Sequence, residues 1–245
     1  MLSLPLAAGF AAAIVSTSFI SGIFGMAGGM ILMGILLAFM PIAPAMVLHG
    51  LVQMAANGWR AWQWRSHIAW RIVIHYAVGA AIAAAAVGVM AVVASKSAAL
   101  IIVGLSPLLG LLLPGRFAPD IGKPSHGHGC GALCTVLQFV AGVSGPVLDV
   151  FFVHSSLTSR QLIATKAAVQ MLGHFLKTAY FGHLLTGGET LPLIAVVVAI
   201  PLAIAGTHLS RFVLETISEA QFRSWSRYVI GAVSSIYLIQ GVVLL

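Results

Sequence analysis

The sequence predicts an all-α polytopic membrane protein built from two inverted repeats. Each repeat is a re-entrant or broken helix pair followed by three transmembrane helices. Three observations predict this. The chain has 245 residues, 60% hydrophobic and only 7% charged, with a mean hydropathy of +1.06. Soluble domains carry about a quarter charged residues, so a chain this apolar needs lipid as its solvent. The second observation is a glycine cluster, Gly22-Ile23-Phe24-Gly25-Met26-Ala27-Gly28-Gly29, in the middle of an uncharged run over 3–40. Glycines weaken a helix, and irregular backbone at membrane depth survives only where protein buries it or it lines a cavity. The cluster therefore reads as a break between two half-helices, with close helix packing of the GxxxG kind as the alternative. The third observation is repetition. Gly142-Val143-Ser144-Gly145-Pro146 repeats the spacing of Gly22 and Gly25, and Val52-Gln53-Met54 with Asn57 and Arg60 matches Val169-Gln170-Met171 with His174 and Lys177. A duplicated broken helix followed by a helix with a polar stripe is the layout of a secondary transporter.

Taken in order, 3–24 forms a first apolar helix and 28–40 a shorter one, stopped by Pro41 and Pro44. The opening Met1-Leu2-Ser3-Leu4-Pro5 lacks the basic segment of a cleaved signal peptide, so the first helix is expected to be retained. Helices follow over 45–64, 70–94 and 97–113. Residues 114–129, rich in Pro, Gly and His, read as a linker. It separates a first transmembrane repeat, 1–113, from a second, 130–245. The second copy opens with 130–144, breaks at Gly145-Pro146 and resumes over 147–154. These pieces of about 15 and 8 residues are too short for two crossings of about 20 residues each, so a re-entrant hairpin fits better. Helices over 159–181, 191–209 and 225–245 complete it.

Lys and Arg positions select between topologies, because basic loops face the cytoplasm. If each broken pair enters and returns, Arg60, Arg65, Arg71, Arg116, Lys123, Arg160, Arg211, Arg223 and Arg227 share one side, while Lys96 and Glu189 face the other. A continuous crossing would instead put the 211–227 loop outside. The hairpin arrangement gives each copy an odd number of crossings, so the copies are inverted and both termini lie outside.

The net charge of +7 comes from isolated residues in short loops, which excludes a nucleic-acid-binding patch. No extramembrane segment is long enough for a separate soluble domain. Gln53, Asn57 and Arg60 stand at i, i+4 and i+7, one face of a helix, and Gln170, His174 and Lys177 repeat that face. Polar side chains are costly in hydrocarbon and so turn toward the protein interior or a water-filled path. The alternatives are interhelical hydrogen bonding for Gln and Asn, and snorkelling for the cations. Arg60, flanked by Trp59, Trp62 and Trp64, fits snorkelling as well as function. Lys177, about one turn from its expected helix end, leaves both readings open. Asp149 is the one acid inside an apolar segment, four residues past Gly145. It is read as a proton or cation site, against an aspartate favoured by the dipole of a helix N-terminus. His126, His128, Cys130 and Cys134 offer zinc or copper ligands but match no standard spacing, so no metal and no cofactor is expected. No Ser/His/Asp set, HExxH, P-loop or carboxylate pair is present, and the chain is not expected to be an enzyme.

The motif Gly22-x-x-Gly25-x-x-Gly28-Gly29, the weaker Gly142-x-x-Gly145-Pro146 and the helix after each resemble the TauE/SafE family of sulfite and organosulfonate exporters, across essentially the whole chain. The resemblance implies a multi-pass protein of the bacterial plasma membrane that exports small sulfur-containing anions such as sulfite or sulfoacetate, coupled to an ion. The chain departs from the family pattern in its thinner glycine motifs: Met26-Ala27 interrupts the first, and Pro146-Val147-Leu148-Asp149 follows the second. Physical chemistry agrees with an anion. Half-helix N-termini, placed at Gly28-Gly29 and Gly145-Pro146, present unpaired N–H groups and positive dipole ends. The expected substrate site comprises Gly25, Gly28, Gly29, Gln53, Asn57, Ser144, Gly145, Gln170 and His174, with Asp149 coupling the ion. The partners are a small anion and the lipid bilayer. The competing reading is a membrane metal-handling or assembly protein using His126, His128, Cys130 and Cys134.

Overall fold

A computed structural model describes residues 4–90, 94–112, 119–152, 155–185, 191–214, 216 and 219–244, and among these every regular element is helical. Residues 114–118 of the expected linker, with Arg116, lie outside the described residues, as do Glu189 and the side chains of Arg223 and Arg227.

The first copy comprises α1 (Leu4–Phe24), α2 (Met26–Phe39), α3 (Ile42–Gln63), a 3-10 turn (Arg65–His67), α4 (Trp70–Met90) and α5 (Lys96–Leu112). The second comprises α6 (Pro124–Ala141), α7 (Gly145–Phe152), α8 (Ser159–Leu184), α9 (Leu193–Leu214) and α10 (Glu219–Val243). The break in the first copy falls on a single residue. Gly25 has φ +69 and ψ −101, a conformation that side chains disfavour, and α2 starts immediately after it. In the second copy the positive-φ residue is Gly142, at +78, and α7 starts three residues later.

This placement corrects the register of the repeat. Gly142 lies 117 positions after Gly25, the same interval that separates Gln53 from Gln170, Asn57 from His174 and Arg60 from Lys177. Gly28, not Gly25, is then the counterpart of Gly145. From α9 onward the interval is 123, since α9 and α10 begin that far after α4 and α5. The second copy has therefore gained six residues ahead of α9.

Each broken pair folds back on itself. The rings of Phe10 and Phe39 meet at 6.1 Å between centroids, and a Cβ on Gly28 would fall 1.9 Å from the Thr17 carbonyl oxygen. Thus α1 and α2 run antiparallel as a tight hairpin with Gly25 at its tip. With 14 residues α2 reaches about 21 Å, short of a full crossing, whereas the 21 residues of α1 reach about 31 Å. In the second copy Ile121 N–H donates to the Phe151 carbonyl at 3.2 Å, tying the start of α6 to the end of α7.

The packing between copies is reciprocal. α3 lies against α8 and α5 against α10, while α4 packs on α6 and its counterpart α9 on α1. Small residues make the last two interfaces. Gly79 abuts the His128 carbonyl, and Gly131 abuts that of Tyr76, each near 2 Å from a built Cβ; Gly22 meets Ser210 and Gly206 meets the Val15 carbonyl. Glycines of this kind let helix backbones approach closely. They also explain a difference from the expected linker, which is helical from Pro124: the proline suits the first helical position, and Gly127 and Gly131 form a packing face against α4. Likewise Gly22 and Gly28 pack helices, and Gly25 alone makes the first break.

Among the described residues, three helices contain windows long and apolar enough to cross a membrane, Ala7–Phe24, Trp70–Val89 and Leu193–Val213. Met26–Phe39, Lys96–Ser106 and Gly231–Val243 are shorter apolar helices. Ile74, Val78 and Ile82 make an exposed apolar face on α4, as Ile194, Val197 and Val198 do on α9, the pattern of surface that lipid covers. α3 and α8 are the central pair and carry the polar stripes.

Candidate functional site

The two hairpin tips meet. A Cβ on Gly145 would lie 2.5 Å from Met26 Cβ, so the first residues of α2 and α7 touch. Beside this contact lies a cavity of about 20 Å³, room for the centre of one water-sized group. It is lined by Gly25, Met26, Gly29 and Met30 from the first hairpin, Val143, Ser144 and Gly145 from the second, His49 and Gln53 from α3, and Gln170 and His174 from α8. The first-turn N–H groups of a helix have no intrahelical partner, and the first turns of both α2 and α7 border this space.

The stripe on α3 runs from the cavity back to the first break. Gln53 packs against Gly29, where a Cβ would sit 3.3 Å from its amide. Asn57 Nδ2 donates to the Gln53 carbonyl at 2.9 Å, and Arg60 Nη2 donates to the Ser21 carbonyl at 2.8 Å. Ser21 Oγ in turn donates to the Gly25 carbonyl at 2.6 Å. Arg60 is buried, so it caps one C-terminal carbonyl of α1, that of Ser21, and does not snorkel. Lys177 does the equivalent in the second copy. Fully buried, it donates to the Gly142 carbonyl at 2.7 Å. Each cation stands where a helix C-terminus carries partial negative charge.

Of the expected substrate residues, Gly25, Gly29, Gln53, Ser144, Gly145, Gln170 and His174 line one cavity. Gly28 faces α1, and Asn57 lies one turn behind Gln53. The half-helix N-terminus placed at Gly28-Gly29 falls instead at Met26, because Gly25 alone takes the non-helical conformation. Asp149 lies apart, paired with Lys166 of α8, with both side chains part-exposed. Gln138 Nε2 donates to Ser144 Oγ at 3.2 Å and steadies the second tip.

Two buried groups at the cavity have no hydrogen-bond partner among the described residues: Gln53 Nε2 and His174 Nδ1. A buried polar group without a partner costs about 1–3 kcal/mol, so these two atoms call for a ligand or water. Sequence reasoning missed His49. Its Nε2 donates to the Gly29 carbonyl at 2.8 Å, and its Nδ1 lies 2.6 Å from Lys177 Nζ. The signal was available, since His49, Gln53 and Asn57 are spaced i, i+4, i+8 and so continue the stripe.

The candidate metal ligands are not brought together. His126 accepts the Asp120 N–H at 2.9 Å, His128 pairs with His75 at 3.3 Å, and Cys130 and Cys134 are free, buried thiols 3.9 Å apart. Among the described residues no group of three or more His, Cys, Asp or Glu could hold a metal ion.

Broken helices whose tips meet at a buried polar cavity, within an apolar helical chain, define a multi-pass membrane protein of the transporter class. The family follows from comparison: the chain belongs to the sulfite exporter TauE/SafE family, whose model matches residues 10–238. No curated protein and no solved structure matches it.

Proposed function

We propose that the protein is a secondary transporter of small sulfur-containing anions, sulfite or an organosulfonate, exported across the bacterial inner membrane with the anion held between the two hairpin tips. One observation carries this reading. The cavity gathers two helix N-termini and two unpartnered buried polar groups, and among the described residues no carboxylate lines it. Such a site favours an oxyanion, because amide dipoles and N–H donors stabilise negative charge without a fully buried arginine. Gln53, Gln170 and His174 supply donors, and glycine at 25, 29 and 145 lets the ligand approach backbone closely. At about 20 Å³ the cavity is too small for a sulfonate. Binding then requires the tips to part, by motion of one copy against the other. The proposed orientation is the inverted one, with both termini outside.

A thermal-shift screen of purified protein against sulfite, sulfoacetate, methanesulfonate, sulfate and phosphate tests the reading. A ligand at a hundred times its Kd raises apparent stability by about 2.7 kcal/mol. Stabilisation by sulfite or a sulfonate is expected. Stabilisation by divalent zinc or copper alone would instead favour the metal-handling reading.

A further inference from the structure

Lys177 and His49 are both fully buried and touch each other across the central α3–α8 pair. His49 lines the cavity, and Lys177 stands directly behind it. We propose that these two side chains form a single proton site that loads one proton with each anion carried. The proposal rests on the anion-transport reading above and adds the coupling ion and its residues.

The hydrogen bonds carry the argument. His49 donates through Nε2 to the Gly29 carbonyl at 2.8 Å, which leaves Nδ1 facing Lys177 Nζ at 2.6 Å, and Nζ also donates to the Gly142 carbonyl at 2.7 Å. Three protonation arrangements fit this one geometry. An ammonium can donate to a neutral Nδ1. An imidazolium can donate from Nδ1 to a neutral amine. A neutral amine can still donate one N–H to Nδ1 and the other to Gly142. The pair therefore gains or loses a proton without breaking any of its three hydrogen bonds. When charged, it can shift that proton from Nζ to Nδ1, toward the cavity.

Charge decides when the proton is held. A buried ion without a partner is costly, by several kcal/mol even after relaxation. Around the pair, α3 offers Arg60 and α8 offers His174, whose ring centroid is 5.4 Å from that of His49. On α4 stands Tyr76, and on α9 His208, which is bonded to Gln63. On α7 the carboxylate of Asp149 is taken by Lys166. α1 and α2 carry no charged side chain, and the residues that α6 adds are Cys130 and Cys134 with His126 and His128 at its far end. No carboxylate faces the pair among the described residues, so the charge that balances its proton is the bound anion. Anion and proton move together, so net export proceeds only while the outward gradient of the anion exceeds the inward gradient of protons. Both hairpins feel the change, because Gly29 belongs to one and Gly142 to the other.

The test uses methanesulfonate, whose charge does not change near neutrality, with the full-length protein. Mixed with it in weakly buffered detergent solution, the wild type should take up protons, approaching one per anion bound. In proteoliposomes held at zero membrane potential, accumulation should follow the pH gradient by about tenfold per unit. His49→Gln keeps a donor for Gly29 and an acceptor for Lys177 but removes the ring nitrogen that takes the Lys177 proton toward the cavity. It should bind more weakly and exchange labelled anion more slowly, and its accumulation should no longer follow the gradient. Binding without proton uptake by the wild type, or a wild-type gradient response from His49→Gln, overturns the proposal while leaving the anion reading intact. A wild type that neither binds nor exchanges methanesulfonate or sulfite overturns the anion reading itself. The proton count on the wild type decides the matter even if the variant fails to fold.

Discussion

Gly145→Ala adds one methyl group at the contact between the hairpin tips. The new carbon would lie 2.5 Å from Met26 Cβ and 3.5 Å from its Cα. Carbon atoms rest at about 3.5–4.0 Å, so the tips must part by about 1 Å, because the atom in the way is fixed to the α2 backbone. Overpacking of this kind costs about 1–3 kcal/mol of stability. The effect on binding follows from the methyl group itself. Gly145 lines the cavity, so the added carbon keeps the ligand from close approach to the backbone of the second tip, and a hydrogen bond lengthened by about 1 Å is lost. Each lost bond to a charged ligand costs about 1.5–3 kcal/mol, so Kd should rise about 10- to 150-fold. Thermal unfolding of purified protein reads the first effect, and titration with methanesulfonate reads the second. Wild-type melting and wild-type affinity together would refute the contact between the tips and the binding site placed beside it.

Further outcomes follow from individual side chains. Gly25→Ala meets no atom within 4 Å but must hold a φ of +69; it should lower stability by about 1–3 kcal/mol through backbone strain alone, measured by thermal unfolding. Asp149→Asn removes one half of a part-exposed ion pair with Lys166, so its stability cost should stay below about 1 kcal/mol and accumulation should still follow the pH gradient. Loss of that dependence would move the coupling site to the Asp149–Lys166 pair. A C-terminal reporter that fluoresces only in the cytoplasm should stay dark if both termini lie outside, as the proposed inverted arrangement requires; a bright one refutes the inversion.

Much of this architecture is legible in the sequence because lipid restricts the choices. A chain with so little charge must form helices, and a glycine cluster within an apolar run must be a break or a packing face. Here it is both: Gly25 turns the chain, while Gly22 and Gly28 let α1 approach its neighbours. Spacing alone does not separate the two roles, because both need a missing side chain. The same ambiguity hid the start of α6, where Gly127 and Gly131 resemble linker residues but pack on α4. The polar face of α3 and α8 is legible from its period, and Gln53, Gln170 and His174 do come together. His49 escaped because it stands alone in an apolar stretch, one turn before the residues that repeat. Its counterpart 117 positions on is Lys166, a different residue with a different partner, so comparing the copies does not reveal it. The burial of Arg60 and Lys177 depends on the breaks they cap, a long-range contact that no local pattern encodes.

The most direct test of the central claim is an isothermal titration of purified protein with sulfite and methanesulfonate, comparing wild type with Gln53→Leu and Gln170→Leu. Both glutamines line the cavity from symmetry-related positions, and each replacement keeps an apolar side chain of similar length while removing a donor. The account predicts saturable binding to the wild type and a loss of about tenfold or more in each variant, the equivalent of one hydrogen bond to a charged ligand. Equal affinity in all three proteins would place the anion somewhere other than between the hairpin tips.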